Sequence, residues 1–250
     1  MLTEERHKLI LEKLRADSVV YVTDLVNYLN ASESTIRRDL TFLHNEGLLN
    51  KVHGGATAVK TMVINTKEEV VKLRKNLNFN EKINIAKKAA SLIEPNDVVY
   101  IDAGTTTELM IQYITEENAH YITNGVVHAR RLAEKNLKTT ILGGELKAVT
   151  EAIVGVETLK ALKKYNFSKG FFGTNGVDLL RGYTTPDLNE AAVKEEALGR
   201  CKDSYILCDH SKFDLISSIT FGELKDAIII TIKTHNNSYK EKTKIMEVDV

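Results

Sequence analysis

The sequence of 250 residues predicts an α/β protein with two domains. Residues 1–57 combine helical spacings of apolar residues with a short hairpin pattern at their end. From residue 80 to residue 250, short apolar runs alternate with helical patterns, as in a parallel sheet covered by helices. Charged residues interrupt any apolar face in residues 58–79, which we predict to be a linker with some helix.

The first domain is predicted to contain three helices, one short strand and a hairpin. The residues that define them are, in chain order, Leu9, Ile10 and Leu14, then Val19–Val22 as a strand, then Leu25, Val26 and Leu29 before an end near Asn30, then Ile36, Leu40 and Leu43, and finally Lys51–Ala56 as the hairpin. Ser32 or Ser34 can cap the third helix, and Gly47 is expected to end it. This order of elements is typical of a winged helix-turn-helix.

The third helix presents Thr35, Arg37 and Arg38 beside its apolar face. Arginine side chains match phosphate groups or guanine edges, and short hydroxyl side chains at a helix N-terminus can approach a phosphate backbone closely. The alternative is a small helical bundle with a solvated arginine pair. The complete series of elements favours DNA binding.

The segment Ser32–Ala56 resembles the DeoR family of bacterial transcriptional regulators, and the resemblance extends over the whole chain. The family pattern Ser-x-x-Thr-Ile-Arg-Arg-Asp-Leu is intact here, and so is His-Gly-Gly-Ala in the hairpin. The resemblance implies that this segment binds operator DNA and that Asp39 is structural. It implies base or phosphate contacts for Ser34, Thr35, Arg37 and Arg38, and contacts to the DNA backbone for Lys51 and His53.

Composition limits the possible partners. Basic and acidic residues balance between Met1 and Lys60, with eight of each. We therefore expect weak binding to random DNA and a homodimer or homotetramer that joins two half-sites. No apolar stretch approaches the roughly 20 residues that span a bilayer, and the charged start is unlike a signal peptide, so we expect a cytoplasmic protein with no membrane partner.

Cysteine and histidine patterns give no indication of a metal site. Cys201 and Cys208 are the two cysteines, and both are predicted to be reduced and at least partly buried. The seven histidines are scattered without the spacing of metal ligands. We expect no metal and no other cofactor.

Five polar clusters follow predicted strands of the second domain. A helix capped by Asn80 and ending at Pro95 is predicted to precede them, and the strand candidates are Val98–Ile101, His120–Ile122, Thr139–Leu142, Gly170–Phe172, Tyr205–Cys208 and Asp226–Thr231. The clusters are Asp102–Thr107, Thr123–Gly125, Gly143–Glu145, Gly173–Gly176 with Arg181–Thr184 close behind, and Asp209–Lys212.

Ligands of parallel sheets bind at the carboxyl ends of the strands, where all five clusters lie. The glycine, hydroxyls and helix start of Asp102–Thr107 can form a phosphate cradle, and Lys212 can meet a phosphate or sugar oxygen. Each cluster alone could equally consist of residues that only form a turn, without binding a ligand. Together they complement a phosphorylated sugar, whose hydroxyl groups need partners when they are desolvated.

The second domain also resembles the sugar-phosphate isomerase fold of ribose-5-phosphate isomerase, from which the sensor domain of the DeoR family is thought to derive. The resemblance implies phosphate binding by Gly104, Thr105, Thr106 and Thr107, and sugar contacts by Arg181, Glu190 and Lys212. The complete set of predicted ligand-binding residues adds Asp102, Thr123, Asn124, Gly173 and Asn175.

One departure from the isomerase bears on catalysis. Where the isomerase has an acidic Asp-Gly-Ala-Asp-Glu cluster, this chain has Gly173–Asp178, which removes candidates for proton transfer. Asp178 and Glu190 remain, so residual activity stays open. We expect a sensor that binds without turnover and assign no catalytic residue.

Three function classes compete: a ligand-responsive repressor, a sugar-phosphate isomerase and an architectural DNA-binding protein. Only the repressor uses both the winged helix and the strand-end clusters. Met1–His7 and Gly182–Asp187 look most like fructose operon repressors, which implies fructose 1-phosphate as the effector. Tagatose 6-phosphate, sensed by the related lactose repressors, is the alternative effector.

Overall fold

The computed structural model describes residues 2–17, 19–46, 48–58, 64–66, 71–232 and 237–249. The chain divides into two compact units, Met1–Met62 and Val63–Val250, which we call the N-terminal and C-terminal units. Helical residues 71–76 and the first residue of the next helix, Phe79, lie within the segment predicted as a linker. The domain boundaries proposed from the sequence, at residues 57/58 and 79/80, stay a prediction.

The N-terminal unit has the predicted series of elements. Its helices and strands are α1 (Thr3–Asp17), β1 (Val19–Tyr21), α2 (Val22–Leu29), α3 (Glu33–Asn45), β2 (Leu49–Val52) and β3 (Gly55–Ala58). The strands form an antiparallel sheet in the order β1-β3-β2. Ile10, Leu25, Ile36 and Leu40 are fully buried in one core. Val22 begins α2 rather than ending the strand, and Gly47, the predicted end of the third helix, lies outside the described residues.

The C-terminal unit alternates strands and helices along the chain. Its helices are α4 (Val71–Asn76), α5 (Phe79–Ala90), α6 (Thr105–Tyr113), α7 (Val126–Glu134), α8 (Val156–Leu162), α9 (Leu188–Leu198) and α10 (Asn237–Lys240). Its strands are β4 (Ile64–Asn65), β5 (Val98–Ile101), β6 (His120–Thr123), β7 (Thr139–Ile141), β8 (Glu145–Lys147), β9 (Ala152–Val154), β10 (Phe167–Gly173), β11 (Gly176–Asp178), β12 (Gly182–Thr185), β13 (Cys201–Leu207), β14 (Ile216–Ser217), β15 (Ile219–Gly222), β16 (Ile228–Ile232) and β17 (Ile245–Val248).

Seven of these strands form one parallel sheet in the order β17-β16-β13-β10-β5-β6-β7. The chain runs outward from β5 through β6 to β7, then returns to the other side of β5 and continues outward from β10 to β17. The strand order therefore reverses between β5 and β10. Such a reversal opens a crevice at the carboxyl ends of the two strands, where ligands bind in open α/β sheets.

Apolar side chains cover both faces of the parallel sheet. Tyr100 and Phe172 belong to the core on one face, and Ile101 and Phe171 belong to the core on the other. This alternation follows from the period of two along a strand, and burial on both faces explains the continuous apolar runs in the sequence. The predicted parallel α/β fold is confirmed.

Details at the element ends differ from the sequence predictions. Asn80 does not cap α5, because the helix begins at Phe79 and its N-cap is Asn78, with a left-handed φ of 52°. The last strand was predicted at Asp226–Thr231, but β16 begins and ends later, at Ile228–Ile232.

Both cysteines are free, with Cys208 buried and Cys201 partly buried, as predicted. Within the described part of the chain, no helix has the length and apolar character that crossing a membrane requires.

Candidate functional site

Helix α3 begins with a side-chain cap. Ser32 Oγ accepts a hydrogen bond from the backbone N–H of Thr35 at 3.2 Å and lies 2.8 Å from the Thr35 hydroxyl. This satisfies one of the amides that a helix start leaves without partners. Ser34 is exposed and Thr35 is half-buried, and the hydroxyls of both have a partner in Ser32 Oγ, at 3.0 Å from Ser34 and 2.8 Å from Thr35.

The exposed face of α3 carries two arginines. Arg37 Nε donates to Glu33 Oε1 at 2.8 Å, across one turn of the helix. Both side chains are more than half exposed, so this pair is weak and can exchange for a phosphate or a base. Arg38 is exposed, and its side chain has no hydrogen bond or ion pair to any described residue.

Asp39 holds α3 against α1. Its carboxylate accepts hydrogen bonds from Arg6 Nε at 2.5 Å and Arg6 Nη2 at 3.0 Å, and it lies 3.0 Å from His7 Nε2. Burial opposes ionisation of Asp39, but the Arg6 guanidinium and His7 outweigh it, and the pKa of the carboxyl is lowered. The structural role expected for Asp39 agrees with these contacts.

The β2–β3 hairpin presents Lys51 and His53 to solvent. Lys51 Nζ donates to the hydroxyl of Thr41 on α3 at 2.7 Å, which ties the hairpin to the helix. Gly54 has a φ of +78° in the turn, and a Cβ on Gly55 would lie 2.1 Å from the carbonyl oxygen of Val20. Glycine is therefore favoured at position 54 by a left-handed turn, and at position 55 by the close approach of β1.

A pocket lies in the C-terminal unit at the crevice between β5 and β10. It brings together residues that follow β5, β10 and β13, three adjacent strands of the sheet. The predicted residues that line it are Gly104, Thr105, Thr106, Gly173, Asn175, Glu190 and Lys212. Thr174 of the predicted Gly173–Gly176 cluster also lines it, and so do three basic residues that the sequence did not single out: Arg74, Lys82 and Lys194. Four basic side chains thus face two acidic ones, Glu190 and Asp209.

The turn from β5 into α6 forms one wall. Gly104 is the N-cap of α6, so the first amides of this helix and the hydroxyls of Thr105 and Thr106 lie at the pocket. An ideal Cβ on Gly104 would lie 3.7 Å from the Cα of Gly173, which shows how closely the ends of β5 and β10 approach. Helix starts of this kind bind anions through free amides and the positive end of the helix dipole.

A buried ion pair supports the pocket. Asp102 and Lys194 are 1% and 4% exposed, and Lys194 Nζ donates to Asp102 Oδ2 and to the carbonyl of Gly173 at 3.1 Å. The same carboxylate oxygen accepts from the Gly173 amide at 3.0 Å. Burial raises the pKa of Asp102, and Lys194 opposes that rise. Asp102 therefore positions Lys194 and β10, and does not itself line the pocket.

Glu190 is also held by neighbours. Its Oε1 accepts from Thr150 Oγ1 at 2.6 Å and from Lys147 Nζ at 3.2 Å. Lys194 is one helical turn further along α9, so both side chains share a face. The spacing of four residues from Glu190 could therefore have indicated, from the sequence alone, that Lys194 lies on the same side of the helix.

Several predicted ligand contacts have structural roles instead. Thr107 is fully buried, and its hydroxyl donates to the carbonyls of Asp102 at 2.6 Å and Gly104 at 2.9 Å. Thr123 Oγ1 donates to the Ile101 carbonyl at 2.6 Å and accepts from the Gly125 amide.

Asn124 and Arg181 also fall outside the pocket. Asn124 Oδ1 accepts from the Ala103 amide at 3.0 Å and so fixes the turn behind the pocket wall. Arg181 is exposed and lines a different cavity, with Thr220 and Glu223. The Gly143–Glu145 cluster is not part of the pocket lining either, because it follows β7 at the far edge of the sheet.

His128 supports the β5–α6 turn from α7. Its Nε2 lies 3.1 Å from the Gly104 carbonyl and 3.1 Å from Thr107 Oγ1. Burial lowers the pKa of His128 to about 4, so the ring is neutral at physiological pH. A neutral ring can bind the turn without adding charge.

One cluster near the pocket has the composition of a metal site. Donor atoms of Glu81, Asp209 and His210 all lie within 4.8 Å of one another. His210 Nδ1 is 2.7 Å from Glu81 Oε1, and Asp209 Oδ1 accepts from Asn78 Nδ2 at 2.7 Å. These contacts already account for the cluster as the join between α5 and the turn after β13, and we assign no metal to it.

Comparison with known proteins identifies the family of this chain. Residues 6–62 match the DeoR-like helix-turn-helix domain, and residues 77–233 match the DeoR C terminal sensor domain. The uncharacterized HTH-type transcriptional regulator FruR of Bacillus subtilis is 43% identical over 99% of both chains, and the lactose phosphotransferase system repressor of Staphylococcus aureus is 34% identical over 100% of both. Ribose 5-phosphate isomerase A of Methanocaldococcus jannaschii has 15% identity and a TM-score of 0.42 over 54% of this chain and 55% of that one. The chain belongs to the DeoR family of DNA-binding transcriptional regulators.

Proposed function

We propose that this protein represses a sugar-utilisation operon and is released from its operator by a phosphorylated sugar. The observation that carries the proposal is the pocket at the carboxyl ends of β5 and β10. Four basic side chains, the start of α6 and the hydroxyls of Thr105 and Thr106 meet there. An anion can accept hydrogen bonds from these groups, and the neighbouring polar groups suit sugar hydroxyls.

Fructose 1-phosphate is the effector that we propose. The resemblance of Met1–His7 and Gly182–Asp187 to fructose operon repressors supports it, and so does the similarity to a regulator named FruR. Tagatose 6-phosphate is the second candidate, because named lactose phosphotransferase system repressors are also similar over the full chain.

Operator recognition is assigned to the N-terminal unit. Ser34, Arg37 and Arg38 lie exposed on α3, and Lys51 and His53 lie on the hairpin beside it. The unit carries no excess of positive charge, so specific contacts and pairing of two copies must supply affinity. We therefore propose a homodimer or homotetramer that spans two half-sites.

Release requires that the sugar phosphate bind one conformation better than the other. A ligand shifts an equilibrium only by its difference in affinity for the two states. We propose that the occupied pocket favours an arrangement of paired sensor units in which the two recognition helices no longer fit the operator spacing.

The test is a gel shift with the DNA upstream of the gene, titrated with fructose 1-phosphate, fructose 6-phosphate and tagatose 6-phosphate at one salt concentration. Release by one phosphate alone is the expected result. Specific binding that none of the three disturbs would refute the effector assignment and leave the operator assignment intact.

Two variants separate the sites. Arg37→Ala removes a base or phosphate contact worth about 1–3 kcal/mol per half-site, so a dimer should lose at least about 30-fold in operator affinity while sugar binding is unchanged. Lys212→Ala should weaken the sugar phosphate about tenfold or more and leave operator binding intact. Arg130→Ala is the matched control, because Arg130 is 69% exposed on α7 and outside the pocket. Unchanged operator affinity in Arg37→Ala would refute the role of α3.

A further inference from the structure

The exposed face of α3 begins with an acid. Helix α3 contains two acidic residues, of which Asp39 is buried against α1, whereas the Glu33 side chain is 61% exposed. The first residues of a recognition helix are the ones that reach base edges in the major groove. A carboxylate has no proton to donate and is repelled by the phosphates of DNA. Glu33 therefore weakens DNA binding unless a base donates a hydrogen bond to it.

Capping of α3 does not require Glu33. The N-cap residue is Ser32, whose Oγ accepts from the Thr35 amide. The carboxylate of Glu33 contacts Arg37 through one oxygen, and this Oε1 lies 2.8 Å from Nε and 2.6 Å from Nη2. Among the described residues, no group bonds to Oε2. An acid in the first turn also interacts favourably with the helix dipole, but that effect is the same on every DNA sequence.

Glu33 also orients Arg37. A guanidinium has five N–H donors, and the contact with Glu33 uses two of them, so three donors remain for a base. Both side chains are more than half exposed, and the pair contributes little to the stability of the free protein. Its orientation matters when the helix meets DNA, because an arginine that is already held loses less conformational freedom on binding.

A row of hydrogen bonds continues along the same face. Glu33, Arg37 and Thr41 are spaced by four residues, so they lie one above another on the helix. Thr41 Oγ1 donates to the Arg37 carbonyl at 2.7 Å, and Lys51 Nζ on the hairpin donates to Thr41 Oγ1 at 2.7 Å. The row runs from an acidic helix start to a basic hairpin. Its basic end suits phosphates, and its acidic end suits a hydrogen-bond donor.

Base edges in the major groove include such a donor. Cytosine presents its N4 amino group, which suits a glutamate, and guanine presents O6 and N7, which an arginine binds with two hydrogen bonds. Adenine also presents an amino group, but beside the acceptor N7, which repels a carboxylate. One helical turn rises about 5.4 Å and successive bases are about 3.4 Å apart. Glu33 and Arg37 can therefore reach the same base pair or adjacent ones.

We propose that Glu33 is a specificity-determining residue, whose carboxylate accepts a hydrogen bond from cytosine N4 in each half-site. Arg37, oriented by Glu33, donates to a guanine of the same or the adjacent base pair. The proposal rests on the proposed function, which assigns operator recognition to α3. It adds that the exposed acid of α3, and not only its arginines, selects the DNA sequence.

The experiment measures base preference with the full-length protein at one salt concentration. The probes are the upstream DNA segment that the wild type protects in a footprint, and duplexes in which each base pair of this segment is replaced in turn, in both half-sites. Wild type is compared with Glu33→Gln, Glu33→Ala, Arg37→Ala and the control Glu12→Gln. Glu12 on α1 is a matched acid, because it is 51% exposed and pairs with Lys8 four residues away.

Wild type should lose at least about fivefold in affinity when one particular cytosine is replaced. Glu33→Ala should bind all four base pairs at this position within about twofold of one another, and Glu33→Gln should prefer adenine there, because glutamine binds N6 and N7 of adenine. Arg37→Ala should lose the preference for guanine at the same or the adjacent base pair. Glu12→Gln should keep the wild-type preference at every position.

The results that would overturn the proposal are distinguishable. If Glu33→Ala and Glu33→Gln keep every base preference of the wild type, or change the affinity of all duplexes equally, Glu33 reads no base. If the positions affected by Glu33 and Arg37 are two or more base pairs apart, the joint readout is wrong. These results leave α3 as the recognition helix. Unchanged preferences in Arg37→Ala, or a wild type without base preference, would refute recognition by α3, and the role of Glu33 with it.

Discussion

Replacing Lys194 by methionine tests whether the buried ion pair supports the pocket. The change leaves the Asp102 carboxylate 1% exposed, with the Gly173 amide as its remaining donor among the described residues. Removing one partner of a buried pair costs about 3–5 kcal/mol, because the other charge stays buried without compensation. Met also keeps the apolar stem, so lost packing contributes little.

The loss of stability in Lys194→Met should depend on pH, and the direction of this dependence follows from the pKa of Asp102. Burial raises the pKa of Asp102 and Lys194 opposes this, so Lys194→Met raises the folded-state pKa further above the unfolded value. A group whose pKa is higher in the folded state than in the unfolded state favours folding most at low pH. This contribution to the free energy of unfolding is lost as the pH rises through the folded-state pKa. The difference from wild type should therefore be largest at pH 8 and shrink as pH falls.

The assay is urea unfolding of the full chain followed by far-ultraviolet circular dichroism, since the sequence has no tryptophan. With a slope of about 2 kcal/mol per M, a loss of about 4 kcal/mol lowers the midpoint by about 2 M. The double variant Asp102→Asn/Lys194→Met removes both charges and should recover most of this loss. The reasoning fails if Lys194→Met costs less than about 1 kcal/mol, or if the double variant is as unstable as the single one.

Three further changes test other parts of the structure. Ser32→Ala should cost the N-terminal unit about 1 kcal/mol by removing the α3 cap, measured as faster amide exchange in α3, and unchanged exchange would argue against the cap. Gly55→Ala should destabilise that unit by about 2 kcal/mol, more than Gly54→Ala, because only the first meets a backbone carbonyl; equal thermal shifts would contradict this. His128 has a folded pKa of about 4, below the usual 6.5, so its contribution to stability is lost as pH falls from 6.5 towards 4. His128→Gln should therefore lose about 2 kcal/mol less than wild type between pH 7 and pH 5 in urea titrations, and parallel losses would refute the buried neutral ring.

The recognition helix illustrates what the sequence could predict. Ile36, Leu40 and Leu43 recur with helical spacing, and all three are buried as expected. The core strands β5, β6, β10 and β13 were also recognisable, because burial on both faces leaves continuous apolar runs. Such elements can be predicted because their patterns depend only on residues that are close together in the sequence.

Which residues line the pocket depends on the order of the strands in the sheet, and local sequence patterns do not predict that order. Residues after β5, β10 and β13 meet because β10 returns beside β5, whereas Arg181 lies on an exposed surface elsewhere. Thr107 looks like a ligand hydroxyl until its two carbonyl acceptors are known. Lys194 was missed because lysine in a helix is ordinarily exposed, and its burial depends on a carboxylate 92 positions away in the sequence.

The same contacts bear on whether the pocket could isomerise a sugar phosphate. Proton transfer needs a base that is free to reach the substrate carbon, and Glu190 and Asp178 are the carboxylates that remained as candidates from the sequence. Glu190 Oε1 is occupied by Thr150 and Lys147, and Asp178 Oδ1 accepts two backbone amides of its own turn at 2.9 Å and does not line the pocket. Thr150 and Lys147 hold the Glu190 carboxylate through one of its oxygens, which restricts its movement towards a substrate carbon. We therefore expect binding without turnover, and ribulose 5-phosphate formed from ribose 5-phosphate by the wild type, but not by Glu190→Gln, would refute this.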